Sequence, residues 1–164
     1  MATRYFALVL GIAFLLVGIM GFIPALLMHP AGHQHDLVVT GPGEGYLLGL
    51  FHVNLLHNLV HLLFGVWGIF AYASLDASRI YSRVVAISYG LLTILGLIPP
   101  PFNTVFGLVP IHGHDVWLHA VIALAAAYFG WARVDVTAPR TAADMGTGTT
   151  GTTSGTGTGA GPVI

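Results

Sequence analysis

Four long apolar stretches leave this chain few ways to fold. They run from Tyr5 to Leu27, from about Tyr46 to Ala73, from about Ile80 to Ile98 and from about Ile111 to Ala132. Each approaches the ~20 residues that cross a bilayer as α-helix. Only 7% of residues are charged, against roughly 25% in soluble domains, so a water-exposed globule could not cover itself. The expected fold is therefore all-α, a four-transmembrane-helix bundle. The first stretch also invites a signal-peptide reading, because Arg4 precedes it. Its apolar run exceeds a usual h-region, however, and no clear small-x-small cleavage site follows.

The cations set an expected orientation. All five are Arg: Arg4 before the first stretch, Arg79 and Arg83 around the second connection, and Arg133 and Arg140 after the fourth stretch. The two remaining connections, around Met28 to Gly45 and Pro99 to Pro110, carry no Lys or Arg. By the positive-inside rule both termini are cytoplasmic and the protein is a multi-pass protein of the cell membrane. Residues 1–135 form the expected transmembrane domain. Residues 136–164, rich in Gly and Thr, bury too little apolar surface to offset chain entropy and are expected to form a disordered cytoplasmic tail.

Composition excludes several functions. A net charge of −1 with no basic patch excludes nucleic acid as a partner. The absence of Cys removes disulfides, zinc-thiolate sites and Cys nucleophiles. No G-x-S-x-G, P-loop or dinucleotide fingerprint occurs. Ser74, Ser78, Ser82 and Ser88 lie toward the cytoplasmic side, away from every histidine, so no catalytic residue is assigned. A cofactor-dependent redox enzyme is the one catalytic route left open. The lipid bilayer is the expected environment, and a homo-oligomer or a membrane-complex partner is left open.

The halves look related. Gly21-Phe22-Ile23-Pro24 closes the first stretch and Gly96-Leu97-Ile98-Pro99 the third, each proline helping to stop a helix. Two parallel hairpins related by an axis along the membrane normal would follow.

All nine histidines fall in outer loops or outer halves of the second and fourth stretches. His29, His33 and His35 lie in the first outer loop beside Asp36. Asn54, His57 and His61 are spaced by three and four residues, which places them on one helical face with Asn58 beside it. His112, Asp115 and His119 repeat that spacing. Counting depth from the inner charges pairs His61 with His119, His57 with Asp115 and Asn54 with His112. A competing register pairs His52 and His57 with His114 and His119, and Gly68 with Gly130. The first aligns faces as well as residue types.

The segment from Asn54 through His57, Asn58, His61 and Leu62 to Gly65 resembles the signature of the bacterial membrane family called domain of unknown function 4383. Asp115-Val116-Trp117-Leu118-His119 resembles that family's second polar motif. The likeness spans Tyr5 to Arg133 and implies four helices. It also implies Asn at the position where this chain has His112. It implies no activity.

Polar groups in a bilayer need partners or water. One reading makes Asn54, His57, Asn58, His61, His112, Asp115 and His119 an outward-facing cluster. In it His57, His61, Asp115 and His119 bind a transition-metal ion, because imidazoles suit zinc, copper or iron. Haem ranks below a bare ion, since no arginine lies on the outer side to meet a propionate. Proton or small-ligand conduction is a further reading. The different-class alternative is a non-catalytic structural or accessory subunit whose cluster is interhelical hydrogen-bond glue. Gly65 and Gly68 favour close helix approach either way. The expected role of Trp67, Trp117 and Trp131 is lipid-facing or interfacial anchoring.

Overall fold

The computed structural model describes residues 1–30 and 37–131. His33, His35, Asp36 and the Gly/Thr-rich segment from 136 to 164 lie outside the described residues. Within them the chain is mostly helical, with four helices: α1 (Ala2–Met20), α2 (Leu55–Ala71), α3 (Leu75–Gly96) and α4 (His114–Trp131). Three short strands, β1 (Leu27–Met28), β2 (Gly45–Leu47) and β3 (Phe51–Val53), stand between α1 and α2.

Those strands correct the expected second helix, which does not begin at Tyr46. They form an antiparallel sheet in the order β1-β2-β3, with Leu27 opposite Leu47 and Tyr46 opposite His52. The turn between β2 and β3 places Leu48 at φ 53° and Gly49 at φ 73°. Two consecutive left-handed residues are what a tight type I′ hairpin turn requires. Helix α2 starts only after Asn54, whose side chain accepts a hydrogen bond from the His57 amide at 2.9 Å. Asn54 is thus a cap rather than a member of the helical face.

The other boundaries move for equally local reasons. Helix α1 stops at Met20, before Gly21, and a 3-10 turn at Pro24–Leu26 leads into β1. Helix α3 begins at Leu75 rather than Ile80, because the Ser74 side chain caps it by accepting from the Ala77 amide at 3.1 Å. Asp76 in its first turn suits the positive end of the helix dipole. Helix α4 begins at His114 rather than Ile111, just after Gly113 at φ 72°.

The helices pack mainly as two antiparallel hairpins, α1 along α2 and α3 along α4. Glycines let the first pair approach closely. A Cβ on Gly11 would lie 2.9 Å from the Gly65 carbonyl oxygen, and one on Gly65 would lie 2.6 Å from the Leu15 backbone nitrogen. Gly18 meets the Leu62 backbone nitrogen in the same way, at 2.9 Å. In the second pair Gly130 abuts Arg83, and Gly96 abuts the Ile111 carbonyl and Val116. Phe14, Tyr81, Val85 and Tyr89 form the centre of the core, closed by Ala7, Ala71 and Ala126.

Each hairpin is tied at one end by an arginine. Arg4 Nε donates to the Tyr72 carbonyl at 2.7 Å and lies over the Tyr72 ring. Arg83 Nε donates to the Gly130 carbonyl at 2.9 Å and lies over the Trp131 ring. Both ties satisfy carbonyls at a helix C-terminus, where a cation is favoured.

The outward faces are apolar along most of all four helices, with Asp76 and Arg83 exposed toward the start of α3 and His114 at the start of α4. Tyr5, Val9, Ile12, Leu16 and Ile19 follow one stripe of α1; Leu59, Leu63, Val66 and Phe70 follow one of α2. Ile80, Ile87, Leu91 and Ile94 lie exposed on α3, and Trp117, Val121, Leu124, Tyr128 and Trp131 on α4. Trp67 departs from the anchoring role expected of it: it is half-buried and sets its ring edge-on to Tyr81 at 5.3 Å. Among the described residues one helix, Ala2–Met20, is by length and composition long and apolar enough to cross a membrane, and Leu55–Ala71 is apolar but shorter.

Candidate metal centre

Capping by Asn54 fixes the start of α2, and one turn later its inward face carries His57, Asn58 and His61, all buried. Helix α4 opposes them with Asp115 and His119, also buried. His57 Nε2 and His61 Nε2 lie 3.0 Å apart, one turn separating them on the same helix. The His57 and His119 rings approach to 6.4 Å between centroids. One ligand atom each of His57, Asp115 and His119 falls within 4.8 Å of the others. Two helices from different hairpins therefore bring three metal-ligating side chains to one point, with His61 adjoining.

Aromatic rings hold these imidazoles in place. Tyr89 meets His119 edge-to-face at 4.9 Å, and Phe14 meets His61 the same way at 5.2 Å. Phe14 and Tyr89 also stack on each other at 5.2 Å. Neither ring figured in the sequence reading. Their signal was there to use: each belongs to a neighbouring helix at a depth near the histidines.

Several polar atoms of the cluster lack hydrogen-bond partners among the described residues despite burial: Nδ1 of His61 and His119, Oδ2 of Asp115 and Oδ1 of Asn58. An unpartnered buried polar group is costly, and the great majority in folded proteins are satisfied. A cation held through the Nε2 atoms would take up the Asp115 carboxylate, and the Nδ1 atoms would still need water. Around a zinc with ligands at about 2.0–2.1 Å, neighbouring donor atoms stand about 3.3 Å apart. The His57–His61 separation, a hydrogen bond between the two rings, has a similar scale, and the ligand atoms of His57, Asp115 and His119 stand within 4.8 Å of one another.

The asparagines do different work. Asn54 Nδ2 donates to the Val39 carbonyl at 3.0 Å and to the Leu108 carbonyl at 2.8 Å, while its Oδ1 caps α2. It thereby joins the two connecting loops, which also meet through Val38 N donating to the Gly107 carbonyl at 2.8 Å. Asn58 Nδ2 donates to the Gly21 and Gly43 carbonyls, each at 3.0 Å. Both amide nitrogens are committed to backbone and hold loops against helices, while Asn58 Oδ1 has no partner among the described residues.

His112 does not reach the cluster. It precedes α4, and its ring lies 5.6 Å from that of His52, which in turn stacks on Tyr46 at 4.8 Å. The pairing of His112 with Asn54 in depth is therefore not a pairing in contact with the metal-ligating group. His29 is exposed and its Nε2 lies 2.7 Å from the Glu44 carbonyl oxygen, and His114 is exposed at the start of α4.

The chain matches the family described as Domain of unknown function (DUF4383) over residues 4–132. It belongs to that family. The DUF4383 match takes in all four helices, both asparagines and the whole His57–His61–Asp115–His119 group. No curated protein and no solved structure matches the chain.

Proposed function

We propose that this DUF4383 protein is a multi-pass membrane protein that binds one transition-metal ion through His57, His61, Asp115 and His119. The observation that carries the metal reading is the convergence of His57, Asp115 and His119 within 4.8 Å in a buried site. The unpartnered Asp115 carboxylate oxygen beside that point supports it. Imidazole nitrogens with one carboxylate suit zinc, copper or iron. Interhelical glue, the alternative, describes Asn54 and Asn58, whose donors are all spent on backbone carbonyls. It accounts less well for the Asp115 carboxylate, whose buried Oδ2 has no hydrogen-bond partner among the described residues.

The membrane reading rests on the exposed stripes. Phe70, Trp117 and Leu124 are each more than 70% exposed (73%, 72% and 73%). Apolar surface running along every helix exceeds what a monomer leaves in water. Helices of 17 to 22 residues rise about 26–33 Å, near the thickness of a bilayer core. By the positive-inside rule, Arg4, Arg79 and Arg83 support the reading in which both termini are cytoplasmic and the metal cluster lies in the outer half.

Corresponding positions support two related hairpins. The interval between Tyr72 and Gly130, the carbonyls that receive Arg4 and Arg83, is also that between Asn58 and Val116, which face Gly21 and Gly96. It is the interval between His57 and Asp115 and between His61 and His119 as well. The shared interval matches α2 to α4, while the partners on α1 and α3 do not share one interval.

One preparation tests both parts. Membranes holding the full chain are washed with alkaline carbonate, and the detergent-extracted protein is analysed for metals and for visible absorbance. Retention in the membrane pellet with about one zinc, copper or iron per chain is expected. Release into the wash overturns the membrane reading. Retention without stoichiometric metal overturns the metal site, and a Soret band would replace the bare ion with haem.

A further inference from the structure

A cavity of about 310 Å³ opens beside the histidine cluster. Its walls come from α1 (Leu10, Phe14, Val17), from α4 (Leu118, Ile122) and from the β2–β3 hairpin above. Apart from His57, His61, Asp115 and His119, every side chain around it is apolar. A smaller cavity of about 120 Å³ touches His57, His61 and His119 on their other side, next to Tyr89. The imidazoles therefore form the polar end of a chamber that is otherwise hydrocarbon-like.

Where the chamber opens follows from its rim. Ala13 on α1, Leu118 on α4 and Leu48 at the hairpin tip all line it and are exposed. These helices come from different hairpins and pack on each other far less than on their own partners. The mouth therefore lies between α1 and α4, bordered by their outward apolar stripes. Leu48 holds a left-handed backbone at φ 53°, a conformation unfavourable for a residue with a Cβ. That geometry sets its side chain at the mouth.

We propose that this chamber binds a small, largely apolar molecule bearing one hydrogen-bonding or metal-ligating group, with that group directed at the His57/His61/Asp115/His119 cluster. Engineered apolar cavities of about 150 Å³ accommodate benzene, so this volume suits a body of about two rings. A dry apolar wall with a few convergent polar groups is the usual design of a small-molecule site. A strongly charged or sugar-like ligand would lose its hydration against these walls without recovering partners. The inference deepens the metal reading, because the ligand's polar group meets the same four side chains.

The test titrates 4-phenylimidazole into detergent-purified full-length protein and follows the heat of binding, with metal content measured on the same samples. One saturable site is expected. Ala13→Trp and Leu118→Trp fill the chamber from opposite walls without touching a proposed ligand, and each should weaken binding about tenfold or more. If one variant fails to fold, the other still decides. Non-saturable binding, or equal affinity in a folded filling variant and the parent, overturns the proposal. Metal content separates the two ideas. Saturable, variant-sensitive binding to metal-free protein keeps the chamber and removes the metal site, whereas metal-loaded protein that binds no probe removes the chamber alone.

Discussion

Replacing His119 by Leu is expected to release the metal while leaving a folded protein. His119 lies on α4, and its ring is held by Tyr89 rather than by a hydrogen bond through Nδ1. Leu fills similar space and removes a buried polar group, so folding loses little. Losing one of four ligands should lower metal affinity on the order of 100-fold or more, beyond the 10–100-fold typical of disturbing a group that merely orients a ligand. His57→Leu should behave alike. Asn54→Ala and Asn58→Ala make the contrast. Each strips donors from two backbone carbonyls, and Asn54 also caps α2. A stability loss of about 2–4 kcal/mol is expected for these, at about 1 kcal/mol for each hydrogen bond and about 1 for the cap, with buried carbonyls left unsatisfied. Metal affinity by competition with a chelator, and denaturation in mixed micelles, measure the two effects. If the histidine variants lose stability as the asparagine variants do and keep their metal, the assignment of roles is reversed.

Gly65→Leu should have the largest structural effect. Its Cβ would fall 2.6 Å from the Leu15 backbone nitrogen and 2.8 Å from the Leu15 Cα. Backbone cannot yield as the end of a flexible side chain can, so α1 would have to move off α2. Overpacking in a core typically costs 1–3 kcal/mol, and a clash with backbone should reach about 3 kcal/mol or more. In a membrane the tight crossing also carries the association itself, because lipid offers no hydrophobic force between helices. Thermal denaturation and cross-linking between cysteines introduced at exposed positions of α1 and α2 would report the loss. Gly90, whose added Cβ meets nothing within 4 Å, is the control: Gly90→Ala should be tolerated. Equal stability of Gly65→Leu and Gly90→Ala would contradict the packing described for the first hairpin.

Much of this was legible from spacing. The four-residue interval of His57 and His61 on one helix, and of Asp115 and His119 on another, names four side chains that the fold gathers on facing helices. Gly65 and Gly68 signalled close approach, and Gly11 is found opposite them. Helix existence was readable because apolar runs of that length have one local solution. Boundaries were less so. The run from Tyr46 to Val53 is as apolar as a helix, yet Gly45 and Gly49 permit a hairpin, and the strands that result depend on pairing with distant Leu27 and Met28. Asn54 matched the helical face by interval and was a cap by conformation, a choice that only its extended backbone decides. His112 shows the limit of depth counting: equal height along the helices does not bring a residue into contact, and Gly113 turns it away toward His52.

The central claim is that four side chains from two helices enclose one metal ion, and cobalt(II) tests it most directly. Cobalt has visible ligand-field bands whose intensity reports coordination geometry, and it accepts the same imidazole and carboxylate donors as zinc. Metal-free protein titrated with cobalt(II) should reach saturation at about one ion per chain, with the intense bands of a four-coordinate site. X-ray absorption of the same sample should show imidazole nitrogen around the ion, and His119→Leu should abolish the spectrum. Weak bands of hydrated six-coordinate cobalt without a stoichiometric end point, or a spectrum unchanged in His119→Leu, would contradict the account.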